Sequence, residues 1–415
     1  MPAEQDGRLV VGVVSASHLV NHTYIMLLPP VLTVLAAQFD VSIAQVGLAI
    51  GVQGAVVTLL QLPFGYVSDA YSRTAVLAVS LVVGAVGALL TAAAPTYEWL
   101  LVAQAVIGLG IAGHHPAHYP MIAAATAPEY RGKAFSLHGF MGVLGFATPY
   151  AVIPAASRLG FGWREAIAGI GVAGLAFAAV SLLVVTRRVS RSVRVPEATA
   201  VDDTASVRAR VTDAARSLLA SRTILLLAVL AFLTSAAAWG IRTYAPVLLT
   251  DEYAMAGDPA NLLVAGMLAA GAVLILVGGV LADRVTATDV LLGGYAALAA
   301  VSVALASGVL PLALVPLVVL PFSGTISVSR PARSKLADAA SGRGDLGKSF
   351  ALVTVGISSG GAVAPPVFGA MVDLVGVSLV FYVVGAIGVA AAGVTLVIAR
   401  RVDRQAAPAG VAATD

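Results

Sequence analysis

Two short segments, GYVSDAYSRT (65–74) and GVLADRVTAT (279–288), each end one apolar run and begin the next. They share a Gly-x-x-x-Asp spacing, and their aspartates lie 283 − 69 = 214 residues apart. Three further matches follow at nearly the same offset: Pro116 with Pro331 (215), Lys133 with Lys348 (215) and Pro149 with Pro365 (216). Several matches in the same order predict a chain built from two repeated halves.

The composition excludes an ordinary water-soluble domain. Of the 415 residues, 59% are hydrophobic and 11% are charged, and the mean hydropathy is +0.95, whereas a soluble domain has about 25% charged residues. The chain has no cysteine, which excludes disulfides, thiol chemistry and cysteine-based metal sites. These numbers indicate a membrane protein.

Crossing a hydrocarbon core of about 30 Å takes about 20 apolar residues in a helix. Runs of this kind occur twelve times, at residues 9–37, 44–68, 74–94, 98–125, 133–157, 163–186, 223–249, 261–282, 288–308, 310–332, 346–372 and 377–399. We therefore expect an all-α membrane protein with twelve transmembrane helices, arranged as two pseudo-repeated six-helix bundles around a central cavity. Parallel repeats of this type are a transporter architecture.

The predicted domains follow from these spans. They are an N-terminal six-helix bundle (1–186), a cytoplasmic linker (187–222), a C-terminal six-helix bundle (223–400) and a disordered cytoplasmic tail (401–415). The linker includes residues 207–222. The sequence of this segment is compatible with a solvated linker and with a short amphipathic surface helix.

The distribution of lysine and arginine predicts the orientation. Twenty of the 24 fall in segments that would share one side of the membrane, and the other side receives Arg158 and Arg164 among several acidic residues. The positive-inside rule then places both termini in the cytoplasm of a multi-pass plasma-membrane protein. We expect a retained first helix, a monomer, the lipid bilayer as a partner, and no nucleic-acid partner.

The segments at 65–74 and 279–288 resemble the loop signature of the major facilitator superfamily, Gly-x-x-x-Asp followed by basic residues. The first segment keeps Gly65, Asp69 and Arg73, and the second keeps Gly279, Asp283 and Arg284. The resemblance implies that these six residues form a conformational latch, in which the aspartate faces a helix N-terminus of the other half. Such a contact contributes about 0.3–1 kcal/mol.

A narrower resemblance covers residues 113–149, GHHPAHYPMIAAATAPEYRGKAFSLHGFMGVLGFATP. This segment is similar to fosmidomycin-resistance-type exporters of the same superfamily, which carry His-Pro in helix 4, a basic-Gly turn and spaced glycines that end at Gly-Pro. His115-Pro116 and Arg131-Gly132 fit this pattern, but Thr148 replaces the last glycine. The resemblance implies an outward direction of transport.

Polar residues inside the predicted spans concentrate on spans 1, 4, 7 and 10, which line the central cavity in the resembled superfamily. All six histidines lie in the first half, and the second half contributes Arg242 and Arg330. The predicted substrate-binding residues are His114, His115, His118, Arg242, Arg330, His22, Tyr24 and Asn21. For His18 and His22 a purely structural role is an equal alternative, and His138 is predicted to be structural.

Arginine inside a membrane costs about 2.5–3.5 kcal/mol on insertion scales and therefore normally faces protein or water. None of the 21 Asp and Glu residues lies in the middle third of a predicted span. We therefore expect Arg242 and Arg330 to face a cavity of positive potential that favours an anionic solute. Arg333, near the end of span 10, is expected to reach toward the membrane surface with Lys335.

These observations predict a secondary active transporter, not an enzyme, that exports a small organic anion by alternating access. The sequence leaves open whether transport is coupled to protons through histidine or to the movement of a counter-anion. The alternative is a multidrug exporter of neutral hydrophobic compounds, using Tyr24, Tyr119, Trp239 and Tyr244. A metalloprotease lacks the glutamate of H-E-x-x-H, and a metal-ion transporter would normally use carboxylates, so no cofactor and no metal are expected.

Overall fold

A computed structural model describes residues 2–196, 222–340 and 346–406, without the side chains of 2–6, 338–340, 346–352 and 403–406. Every regular element in these ranges is a helix. Most of the predicted linker and most of the predicted tail lie outside the described residues. At the linker's edges, helix extends beyond the predicted span to Arg188, and the next long helix begins at Arg222.

The described part of the first half, residues 2–196, contains nine helices and a single 3₁₀ turn at Pro29–Val31. The helices are α1 (Pro2–Ile25), α2 (Leu32–Phe39), α3 (Ile43–Ala70), α4 (Arg73–Ala93), α5 (Tyr97–Ala112), α6 (His114–Ala125), α7 (Pro128–Arg158), α8 (Trp163–Arg188) and the short α9 (Arg191–Arg194). The predicted span 1 corresponds to α1 and α2, and the predicted span 4 corresponds to α5 and α6.

The second half contains seven helices in the described ranges. They are α10 (Arg222–Asp251), α11 (Gly257–Arg284), α12 (Ala287–Ala306), α13 (Val315–Ser327), α14 (Ser329–Ala340), α15 (Leu346–Leu374) and α16 (Val377–Ala406). Eleven segments of the described residues are long and apolar enough to cross a membrane. The remaining predicted span, 310–332, corresponds to α13 and the start of α14.

The backbone repeats at the offset that the sequence predicts. Helix α3 maps onto α11 with a shift of 257 − 43 = 214 at its start and 284 − 70 = 214 at its end. Helix α6 maps onto α14 with a shift of 329 − 114 = 215 at its start and 340 − 125 = 215 at its end. Spans 4 and 10 are therefore broken at equivalent positions, and the all-helical fold of two six-helix bundles is confirmed.

Local sequence explains where several helices begin. Ser42 forms a capping box with Gln45 at the start of α3, and Ser72 and Thr96 cap α4 and α5 through their side chains. These caps satisfy amide groups that have no partner within the first helical turn. Helices α3, α4 and α5 therefore each start next to a polar residue that precedes an apolar run.

The two bundles meet along two helix pairs, α3 with α15 and α7 with α11. The α3–α15 contact is close because small residues face each other: a Cβ at Gly51 would lie 2.6 Å from the Ala362 carbonyl oxygen, and one at Gly47 would lie 2.5 Å from the Pro365 carbonyl oxygen. We call this side of the molecule, where α3 begins and α15 ends, the acidic end. It is the side that the sequence predicts to be outside the cell.

The opposite side, which carries residues 65–74 and 279–288, we call the basic end. Neither Gly65 nor Gly279 has a described neighbour within 4 Å of where a Cβ would lie. Nearby side chains of α3 and α11 are exposed, for example Leu62 at 71% and Val280 at 54%. The contacts between the two bundles are therefore concentrated toward the acidic end.

Candidate functional site

The break between α5 and α6 sets the first part of the site. Helix α5 ends at Ala112, and α6 begins with His114, which donates from its Nδ1 to the Ile111 carbonyl at 2.5 Å. Pro120 has no N–H group, so the Pro116 carbonyl has no partner within α6, and the Ser68 hydroxyl donates to it at 2.7 Å. Side chains from elsewhere thus stabilise a break in the membrane-spanning segment.

Helix α1 supplies the next part. His18 and His22 lie four residues apart and therefore on one helix face, and their Nε2 atoms are 2.9 Å from each other. Their Nδ1 atoms lie 2.7 Å from the carbonyl oxygens of His138 and Gly142, both in α7. Gly142 permits this approach, because a Cβ there would lie 2.3 Å from a carbon of the His18 ring.

All six histidines converge in a single group, which we call the histidine cluster: His18, His22, His114, His115, His118 and His138. Ring centroids are 4.0 Å apart between His18 and His138 and 3.8 Å apart between His114 and His115. His118 lies 5.2 Å from His138 and 6.0 Å from His18. The cluster therefore joins α1, α6 and α7.

Sequence reasoning assigned His138 a structural role and left it outside the site. Its ring is buried and stacks on His18 at an interplanar angle of 19°, so it is a member of the cluster. The sequence contained an indication that His138 belongs with the other histidines, because all six histidines of the chain lie in the first half.

The second bundle contributes arginines. Arg242 in α10 lies with its guanidinium 4.5 Å from the centroid of the Phe146 ring in α7, and Tyr150 of α7 donates its hydroxyl to the Arg242 carbonyl. That carbonyl is free because Pro246, four residues on, has no N–H group. Arg242 therefore lies where the two bundles meet.

Arg330 begins the first turn of α14 and interacts electrostatically with His18 and Tyr119 of the first bundle. Tyr119 stacks on His115 with ring centroids 5.2 Å apart, yet 46% of its surface is exposed. Arg242 and Arg330 are also partly exposed. Partly exposed polar side chains of both bundles thus lie close to one another.

Arg333 does not reach toward the membrane surface, so that prediction is wrong. Its Nη1 donates to the hydroxyl of the buried Thr234 in α10 at 2.7 Å. Lys335 instead points to the basic end, where it pairs with Asp283 at 2.5 Å. This pair is the only ion pair in the described part of the chain, and no described carboxylate lies within 4.0 Å of Arg242 or Arg330.

Two predicted substrate-binding residues are fully buried inside the first bundle. Asn21 donates to the Ser17 carbonyl and accepts from Ser80. Tyr24 packs against Gly84 and Gly174, and neither Asn21 nor Tyr24 has exposed surface. In this conformation a solute between the bundles would not contact them, so their role as ligands stays a prediction.

Two of the six predicted latch residues make described contacts, and both contacts lie within their own half of the chain. Arg73 donates to the carbonyls of Ser192 and Val193, and Asp283 accepts from Lys335. The contact that the latch was expected to make occurs instead at the acidic end. There, Asp373 of α15 accepts from the Ile43 and Ala44 amides at the start of α3, at 3.0 and 2.8 Å.

Comparison with known proteins agrees with this architecture. A sequence profile of the Major Facilitator Superfamily matches residues 14–323 and 227–414. The chain belongs to the Major Facilitator Superfamily. It is a multi-pass membrane transporter and not an enzyme.

Curated relatives match over part of the chain. The putative transporter SVOPL of Homo sapiens is 31% identical over 119 residues, which are 27% of this chain and 22% of that protein. The D-xylose-proton symporter-like 2 of Arabidopsis thaliana is 36% identical over 101 residues, which are 24% of this chain and 20% of that protein. The matched segments therefore span about a fifth of each relative.

Solved structures match over almost the whole chain. A bacterial homologue of the human lysosomal transporter Spinster, in an inward-facing and unoccupied conformation, is 16% identical with a TM-score of 0.78, covering 96% of this chain and 98% of that one. A variant of the nucleoside transporter NupG is 14% identical with a TM-score of 0.74, covering 94% and 99%. At these identities the likeness concerns the fold.

Proposed function

We propose that this protein is a secondary active transporter that exports a small organic anion by alternating access between the two bundles. One observation carries the proposal: Arg242 and Arg330 are partly exposed where the bundles meet, and no described carboxylate lies within 4.0 Å of either. A cation in a membrane-spanning segment without a protein counter-charge is costly. An anionic solute would supply that charge.

The contacts of Arg242 support this assignment. The guanidinium carbon of Arg242 lies over the Phe146 ring, 4.5 Å from its centroid, which is a cation–π contact. The N–H groups of a guanidinium point outward in its plane, so they stay available for a carboxylate or a phosphonate. A planar fork of this kind matches two oxygens of one acid group.

The histidine cluster supports coupling to protons, since histidine is the side chain whose ordinary pKa lies closest to neutral pH. Exchange for a counter-anion uses the same arginines and needs no proton. The proposal includes a monomer in the plasma membrane with the basic end and both termini in the cytoplasm, following the positive-inside rule. The outward direction follows from the resemblance of residues 113–149 to fosmidomycin-resistance-type exporters.

An exporter of neutral hydrophobic compounds is the second candidate. The exposed ring of Tyr119 and the partly exposed Trp239 favour it, because aromatic surface in a partly solvated cavity binds apolar solutes without an anion site. Tyr244, in contrast, is fully buried and donates its hydroxyl to the Pro365 carbonyl. The two candidates differ in whether the arginines are needed.

Binding of matched probes separates the candidates. We would measure the dissociation constants of phenylphosphonate, benzoate and the neutral benzamide for the purified protein and for Arg242→Gln and Arg330→Gln. A hydrogen bond to a charged group contributes about 1.5–3 kcal/mol. We therefore expect each substitution to weaken binding of the two anions at least about tenfold and to leave benzamide unchanged.

Arg158→Gln is the matched control, because Arg158 is an exposed arginine at the end of α7. Its anion binding should equal that of the unmodified protein. If both cavity variants bind the anions as tightly as the control does, the anion proposal fails. Tighter binding of benzamide than of either anion, unaffected by the arginines, would support the second candidate instead.

A further inference from the structure

Three histidines of the cluster share a hydrogen-bonding pattern at the nitrogen nearest the backbone. The Nδ1 atoms of His18, His22 and His114 lie 2.7, 2.7 and 2.5 Å from the carbonyl oxygens of His138, Gly142 and Ile111. A backbone carbonyl can only accept, so each Nδ1 must carry the hydrogen. In a neutral imidazole the lone pair is then at Nε2.

The three lone pairs have no suitable partner in the described part of the chain. The Nε2 atoms of His18 and His22 face each other at 2.9 Å, so two acceptors oppose each other unless they share a proton or a metal ion. The Nε2 of His114 is buried and has no hydrogen-bond partner there. Burial of an acceptor without a partner costs free energy. The arrangement thus calls for a positively charged ligand.

We propose that His18, His22, His114 and His115 bind a divalent first-row transition-metal ion, with Zn²⁺ as the test ion. One nitrogen from each of these four residues can be chosen so that all four lie within 4.8 Å of one another. Tetrahedral zinc with Zn–N bonds of about 2.0–2.1 Å separates its ligands by about 3.4 Å. Small movements of these rings would therefore complete the site.

The chemistry of the donors selects the kind of ion. Imidazole nitrogen suits zinc, copper and nickel, whereas magnesium and calcium prefer oxygen donors, and all four donors here are imidazoles. A metal-bound histidine almost always donates its other ring N–H to a carboxylate, a carbonyl or water, which fixes its orientation. His18, His22 and His114 already make that bond, so their Nε2 atoms are oriented in advance.

The inference does not depend on which solute is transported. The sequence alone predicted no metal site, because the spans contain no carboxylate or cysteine ligand, so metal binding by these histidines would overturn that prediction. Arg330 interacts electrostatically with His18 and opposes an added cation. Removal of Arg330 should therefore weaken the binding of an organic anion but strengthen the binding of a metal ion.

Equilibrium binding to the full-length protein tests the site. The protein is purified through an affinity tag without histidine, stripped with a chelator and titrated with Zn²⁺ by calorimetry, and with Co²⁺ by visible absorption. We expect one ion per chain and the intense visible bands of tetrahedral Co²⁺. His22→Asn keeps a donor for the Gly142 carbonyl but removes Nε2, and should weaken Zn²⁺ binding at least about 30-fold.

His118→Asn is the matched control, because His118 belongs to the cluster but not to the four proposed ligands. It should bind Zn²⁺ within about threefold of the unmodified protein, and Arg330→Gln should bind it several-fold more tightly. The proposal is overturned if the unmodified protein binds no Zn²⁺ more tightly than the His18→Asn, His22→Asn double variant does. Equal loss in His118→Asn and His22→Asn would also overturn the assignment of ligands.

Discussion

The acidic end and the basic end of this transporter are built from repeated sequence, yet the bundles meet closely at only one of them. At the acidic end, Gly47 and Gly51 of α3 lie against backbone atoms of α15. At the basic end, Gly65 and Gly279 of the loop signature have open space around them. If the basic end faces the cytoplasm, close contact at the acidic end and open space at the basic end correspond to the inward-open state of an alternating-access transporter.

Polar contacts follow the same division. Four described hydrogen bonds on the side of the acidic end join the two bundles: Asp373 accepts two from α3, Tyr150 donates to the Arg242 carbonyl, and Asn261 donates to the Pro30 carbonyl. At the basic end, Arg73 and Lys335 bind groups of their own bundle. The signature residues Arg73 and Asp283 thus bind groups of their own half in this conformation, while the hydrogen bonds that join the bundles come from residues outside the signature.

The largest expected effect comes from adding one methyl group to the α3–α15 contact. In Gly51→Ala the new Cβ would lie 2.6 Å from the Ala362 carbonyl oxygen. This would force the backbones of α3 and α15 apart and destabilise the closed acidic end by about 1–3 kcal/mol. We expect a transport rate at least about tenfold lower. Hydrogen–deuterium exchange should be faster in residues 43–54 and 361–370 and unchanged at the basic end.

Gly266→Ala is the control for this substitution. The nearest atom to its Cβ would be Cδ2 of Leu320 at 3.0 Å, the far end of a flexible side chain that can rotate away. Transport and exchange in this variant should stay close to those of the unmodified protein. If Gly51→Ala behaves in the same way as Gly266→Ala, the closed acidic end is not held by backbone contact.

A smaller effect is expected from Asp373→Asn. The carboxylate accepts two amide hydrogens at the positive end of α3, and a charge there contributes about 0.3–1 kcal/mol. The substitution should accelerate hydrogen exchange at residues 43–46 by about two- to fivefold. Asp258→Asn, in the first turn of α11, should leave those amides unchanged; an equal acceleration there would contradict a direct role for Asp373.

The smallest effect is expected at the basic end. The Lys335–Asp283 pair has side chains that are 49% and 72% exposed, and exposed pairs contribute about 0.2–1 kcal/mol. A double-mutant cycle with Asp283→Asn and Lys335→Gln, measured as thermal stability, should give a coupling in that range that declines with added salt. A coupling above about 2 kcal/mol would contradict the description of this pair as an exposed contact within one bundle.

Much of the fold could be predicted from the sequence, because hydropathy and helix boundaries depend on neighbouring residues. The 214–215 residue offset between α3 and α11, and between α6 and α14, was predicted from a few glycine, proline and aspartate matches. The equivalent positions of His115 and Arg330 in spans 4 and 10, 330 − 115 = 215 residues apart, followed from the same offset. The burial of Asn21 and Tyr24 and the hydrogen bond of Arg333 to Thr234 could not be predicted from the sequence. Each depends on how its helix is rotated against a helix that is distant in the sequence.

The sequence by itself determined that this chain enters a membrane, that it repeats, and that histidines lie in one half and cavity arginines in the other. These properties are local or additive, so they can be summed along the chain. Only the tertiary structure decided that ring nitrogens of His18, His22, His114 and His115 come within 4.8 Å of one another, while backbone carbonyls hold the Nδ1 atoms of the first three. It also decided that Asp373 meets α3 some 330 residues away, because such contacts require the packing of helices that no local pattern encodes.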